Sequence, residues 1–187
     1  PPSKRITTCP AESCRSCSKK SSKNSPDMLE ETKYLVGISS GTATMAVIGK
    51  ANYLNCRNVG EFFSTAITRG CSKIVVDCSQ CAGMDSTFLG MVAGAALKIH
   101  KTGGEMVLVN LNDRNRELID NLGIFKLVKI AEDPSAMPKP TSEFLPANNA
   151  THANILNAHE NLVEADAANK TKFEDVIAFL KRETENK

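Results

Sequence analysis

The stretch that most constrains this chain runs Ile74-Val75-Val76-Asp77-Cys78-Ser79-Gln80-Cys81-Ala82-Gly83-Met84-Asp85-Ser86-Thr87-Phe88-Leu89-Gly90. Its opening β-branched run, Ile74 to Val76, reads as a buried strand. After Ser86 the apolar positions Leu89, Val92, Ala93, Ala96 and Leu97, with His100, recur at helical spacing. Asp85 and Ser86 therefore stand where a loop becomes a helix, the place where Asp and Ser cap the first backbone N–H groups. Such a start concentrates unpaired donors and partial positive charge, so it suits an anionic group. Nothing else in the chain combines a reactive hydroxyl with so defined a local frame.

The flanking sequence extends this strand–helix unit in both directions. Lys33–Ile38 and Thr42–Ile48 read as a hairpin around Ser39-Ser40-Gly41, with Gly49 ending the second strand. Cys56, Val59, Phe62, Phe63, Ala66 and Ile67 form a helical stripe closed by Gly70. Gly103-Gly104 ends the next helix ahead of a strand at Met106–Val109. Asn112 or Asp113 then caps a helix carrying Leu118, Ile119 and Leu122, and Phe125–Ile130 reads as the last strand. The order β-β-α-β-α-β-α-β is an α/β arrangement: a mixed sheet with helices packed mainly on one face.

Outside residues 30–132 the composition changes. Residues 1–29 are a polar arm without apolar period, expected to be disordered. Residues 1–26 hold a net +5 of the chain's +2, leaving −3 for the rest. A basic arm can touch nucleic acid, but this one lacks aromatics and periodicity, and no nucleic-acid partner is expected. The arm holds Cys9, Cys14 and Cys17, the residues a zinc ion would draw on, but no metal site is expected. They lie far in sequence from the second pair, Cys78 and Cys81, well beyond finger or ribbon spacing, so those two read as buried thiols.

Prolines 134, 138, 140 and 146 mark a linker over residues 133–150. A helical extension follows over residues 151–187. One apolar stripe is Ile155, Leu156, His159, Leu162 and Val163; another is Phe173, Val176, Ile177 and Leu180. Thr171-x-x-Glu174 suggests a capping box between two helices. Their apolar faces need a cover: the main domain, each other, or a second subunit in a homo-oligomer. No apolar run reaches the roughly 18–20 residues of a membrane span, and no secretory leader is evident, so the expected location is the cytoplasm. A Walker loop, a Gly-x-Ser-x-Gly elbow and a metal triad are all missing from the sequence, which argues against an enzyme and leaves no cofactor implied. His100, His152 and His159 are scattered and read as surface or packing residues.

The order of elements, together with Asp77-Cys78-Ser79-x4-Met84-Asp85-Ser86-Thr87-Phe88-Leu89-Gly90, resembles the STAS domain of bacterial anti-sigma factor antagonists and of the cytoplasmic ends of sulfate transporters. Gly103-Gly104 and Asn121-Leu122-Gly123-Ile124-Phe125 match further family segments. The resemblance implies a protein-binding module switched by phosphorylation. It transfers the modified serine to Ser86, with Thr87 as a secondary site and Asp85, Phe88, Gly49 and Asn52 around it on the partner-binding face. It implies a GHKL-type anti-sigma factor kinase that phosphorylates Ser86, and a PPM-type phosphatase that restores it. Only the unphosphorylated form would capture the kinase and free a sigma factor.

Two departures stand out: Phe88 replaces the usual Gly at the helix start, which predicts a bulkier partner-facing turn. Gly49-Lys50-Ala51-Asn52 replaces Gly-x-Leu-Asp, removing an acidic group near the switch. An alternative of another class is a scaffold subunit of an oligomeric signalling complex, assembled through the C-terminal helices.

Overall fold

A computed structural model describes residues 32–132, 140–144 and 149–185. The expected arm, with Cys9, Cys14 and Cys17, lies outside the described residues. β1 (Lys33–Ser39) and β2 (Thr42–Ala51) form the hairpin. Its two loop residues, Ser40 and Gly41, both have positive φ, the conformation whose twist matches the flanking strands. α1 (Arg57–Thr68), β3 (Lys73–Met84), α2 (Ser86–Lys101), β4 (Glu105–Val109) and α3 (Asp113–Asn121) follow in order. A 3-10 turn at Ile124–Lys126, β5 (Lys129–Ala131), β6 (Ser142–Phe144), α4 (His152–Ala165) and α5 (Asn169–Glu185) complete the described chain.

The six strands lie in the order β5-β4-β3-β2-β1-β6. β2, β3, β4 and β5 run parallel, and β1 and β6 add antiparallel neighbours at one side. Strand alternation divides the side chains between the faces. Ala43, Met45, Val47, Ile74, Val76, Cys78, Met106 and Leu108 join the core with α1, α2 and α3. Val75, Val107 and Val109 form a separate small cluster on the other face, packed with Ala131. The helices thus cover mainly one face, as the element order implies.

Four local expectations need correction. β2 does not end at Gly49; it continues to Ala51, with Gly49 at φ 80°. β3 does not give way to a loop after Val76. Parallel pairing with β2 carries it to Met84, through register shifts opposite Ala46/Ile48 and Gly49/Lys50. Phe125–Ile130 is not one strand, because Gly123 at φ 67° opens a 3-10 turn and only Lys129–Ala131 pairs with β4. Thr171 lies inside α5, so it caps nothing. The capping box sits instead at the start of α4, where the Thr151 hydroxyl accepts from the Asn154 N–H and the Asn154 side chain accepts from the Thr151 N–H. The proline-rich stretch also holds β6, whose backbone pairs with β1.

The two C-terminal helices do not stand apart. α4 packs across α2, burying Ala158, His159 and Leu162, and α5 folds back on α4. Asn169, itself buried, fixes the elbow between them: its amide donates to Leu122 O and Leu162 O, each at 2.8 Å.

Candidate functional site

β3 runs into α2 with one residue between them, Asp85, and that residue organises the site. Its extended backbone (φ −108°, ψ 173°) turns the chain from strand to helix. One carboxylate oxygen accepts from the Phe88 N–H at 2.8 Å, the N-cap bond that satisfies an otherwise unpaired helix donor. The other accepts from the Tyr53 N–H at 2.8 Å. The Asp85 N–H in turn donates to Ala51 O. Asp85 therefore ties α2 to the turn between β2 and α1. Asp85→Ala should cost about 1–2 kcal/mol of stability through the lost cap, and Asp85→Asn distinctly less. Urea denaturation of the three forms measures this; an alanine variant as stable as wild type would contradict it.

Within that turn Asn52 is structural. Its side chain accepts from the Leu54 N–H, and its carbonyl accepts from the Asn55 and Cys56 N–H groups. Asn55 holds the other side, its Oδ1 accepting from the Asn52 N–H and from the Tyr34 hydroxyl. Gly49, three residues before Asn52 in β2, is buried and shapes the backbone rather than the surface. The turn instead presents Tyr53 and Leu54, 46% and 47% exposed, beside the start of α2. Sequence reasoning passed over both, although two large apolar residues in a turn outside any stripe are a signal for a contact patch.

Ser86 is the first residue of α2 and is half-buried. Its neighbours part company with the expected surface. Thr87 is 4% exposed and Phe88 is fully buried, so neither belongs to an outer face. A helix advances about 100° per residue, and this rotation carries positions 87 and 88 into the core while leaving 86 half-buried on the side that faces α4. Phe88 does not make the turn bulkier toward a partner. It stacks on Tyr34 in the core, ring centroids 6.3 Å apart.

The unexpected member of the site is His159, from α4. Its Nε2 lies 3.1 Å from Ser86 Oγ and its Nδ1 lies 2.8 Å from Ile155 O. A carbonyl only accepts, so the hydrogen-bond network assigns the proton to Nδ1 of the neutral ring, and Nε2 accepts from the Ser86 hydroxyl. The Phe173 ring packs edge-on against the imidazole at 4.8 Å. His100 and His152 are exposed and take no part. The separation of 73 residues kept this pair out of any sequence pattern.

Asp77 accepts from the Ser79 N–H and the Asn110 amide, a structural role at the sheet. Cys78 and Cys81 are buried, as expected of packing thiols. Among the described residues, no three His, Cys, Asp or Glu side chains gather to hold a metal ion, and no helix is long and apolar enough to cross a membrane.

The STAS domain family model matches residues 23–136, more than half of the chain, and the chain belongs to that family. An anti-sigma F factor antagonist of Paenibacillus polymyxa is 34% identical over 65 residues, 35% of this chain and 56% of that one. The chain thus spans little over half the length of this curated relative. Among solved structures, the crystal structure of TM1081 from Thermotoga maritima is similar at 20% identity and a TM-score of 0.51, covering 55% of this chain and 88% of that one. The Bacillus cell fate determinant SpoIIAA, in its phosphorylated form, aligns with a TM-score of 0.47 at 20% identity, over 55% of this chain and 95% of that one. The family match ends before α4, so His159 comes from outside it.

Proposed function

We propose that this chain is an anti-sigma factor antagonist switched at Ser86. The observation that carries the reading is the placement of one half-buried hydroxyl at the first position of α2, framed by the Asp85 cap and the exposed Tyr53 and Leu54. In its unphosphorylated form the patch is near-neutral and partly apolar, suited to docking an anti-sigma factor kinase of the GHKL type and so freeing a sigma factor. The kinase transfers the γ-phosphoryl group of ATP to Ser86 Oγ, ADP leaves, and the hydroxyl proton passes to the kinase. A PPM-type phosphatase hydrolyses the ester and resets the switch. The chain performs no catalysis of its own.

Electrostatics supply the switch. A phosphate adds close to two negative charges and three strong acceptors. The helix start favours an anion, but Asp85 already accepts from its Phe88 N–H and opposes a second negative group beside it. The added charge is therefore felt at the surface, where a docking patch turns anionic and rejects a partner complementary to the neutral form. Ser86→Ala should bind the anti-sigma F factor of Paenibacillus polymyxa in the presence of ATP without being inactivated. Ser86→Glu should bind at least about tenfold more weakly, a difference of about 1.4 kcal/mol. Titration calorimetry reads both; equal affinities for wild type, Ala and Glu would refute the switch. The scaffold alternative is less favoured, because the apolar face of α4 is already engaged with α2 of the same chain.

A further inference from the structure

We propose that α4 is an internal occupant of the docking face, a cover that must lift from α2 before Ser86 can be phosphorylated or a partner can bind; this rests on Ser86 being the switch. Ser86, Gly90 and Gly94 recur at intervals of four and line one side of α2. A Cβ on Gly90 would overlap the backbone carbonyl of Ala158, and one on Gly94 would meet the Asn161 side chain, with Cγ at 2.7 Å. The two glycines form a groove that lets a second helix approach backbone to backbone. Neither glycine has a side chain to bury, so the apolar burial at this contact comes from Ala158 and Leu162 of α4.

α4 fills this groove with Ala158, His159 and Asn161, its fully buried Leu162 joins the main core, and two polar contacts are added. The Asn161 amide donates to Gly90 O at 3.2 Å, and the Ser86 hydroxyl donates to His159 Nε2. A phosphoryl group on Oγ replaces the proton that His159 Nε2 accepts, so this contact must break for the ester to form. The closed chain therefore withholds the hydroxyl from a kinase and the groove from a partner. Its closed position is specified at both ends. Ala150 N–H donates to Tyr53 O at 2.6 Å, next to the exposed turn. At the elbow, Lys126 pairs with Asp166 at 2.6 Å and Lys172 donates to Asn121 O at 2.6 Å. A partner helix with small residues on its docking side would compete with α4 for the same seat.

Two full-length variants test the cover. Gly90→Ala fills the groove with a residue of higher helix propensity, and His159→Ala removes the latch on Ser86. By hydrogen exchange, the amides of α4 should exchange on the order of tenfold faster in both variants, with β2, β3 and β4 unchanged. Unchanged α4 protection, or protection lost together with the strands, would overturn the proposal, since α4 would then be an integral part of the core. In parallel, phosphate transfer from ATP to Ser86 by the anti-sigma F factor of Paenibacillus polymyxa should also be on the order of tenfold faster in the variants. Equal transfer rates in wild type and variants would overturn the gating even if α4 lifts. No transfer to any form would refute Ser86 as the switch and the gating with it, while the exchange result still judges the cover by itself.

Discussion

Phe88→Ala should lose about 3–5 kcal/mol of stability, the range for deleting a buried aromatic side chain and leaving a cavity. The residue is fully buried, and its ring stacks on Tyr34, also fully buried, with the planes 17° apart. The loss does not stop at packing. The Tyr34 hydroxyl donates to Asn55 Oδ1 at 2.8 Å, and Asn55 holds the Asn52 N–H and Lys50 O. Phe88 thus supports, through Tyr34, the turn that presents Tyr53 and Leu54 beside Ser86. Its own N–H is the one Asp85 caps. Urea denaturation should show the stability loss, and hydrogen exchange should show residues 52–56 loosened beyond the rest of the sheet. A loss below about 1 kcal/mol would mean that the core closes over the gap, contrary to the close packing expected of such a site.

The same residue shows how far sequence reasoning reaches. A bulky residue where the family has Gly suggests a change in the docking surface, yet the helix rotation turns it inward onto Tyr34. Periodicity finds the helices of α1 and α2 because one apolar stripe repeats in each, and it finds the first half of β3 and all but the first residue of β4 because their apolar runs are continuous. It missed the second half of β3 because Cys78-Ser79-Gln80-Cys81-Ala82-Gly83 carries no alternation; partner strand β2 specifies that segment. β6 was missed for a similar reason, being three residues at a sheet edge among prolines. Asp85 and Ser86 were legible because capping is local chemistry. The contact of His159 with Ser86 was not, because it depends on how two helices distant in sequence cross, and that crossing is set by glycines whose lack of a side chain leaves no stripe.

The protein should also be unusually sensitive to alkali. Burial pushes the Cys56 thiol from 9.0 up to about 12, with the Asp85 carboxylate adding to the effect. Burial likewise raises Cys78, reinforced by Cys81 and Asp77, and it raises Cys81 and Tyr34 as well. In the unfolded chain these thiols release their protons near pH 9, whereas the folded chain retains them. Above that point the unfolded state binds fewer protons, so stability falls as pH rises toward the folded values and is fully present below pH 9. Each strongly raised thiol removes up to about 1.4 kcal/mol per pH unit, and Cys56 with Cys78 roughly 3 kcal/mol, against a total that is typically about 5–15 kcal/mol. Urea midpoints measured at about pH 8 and about pH 10.5 should therefore drop steeply, and Cys56→Ala combined with Cys78→Ala should flatten the dependence. A midpoint that holds steady across this range would mean that the thiolates find solvent without unfolding.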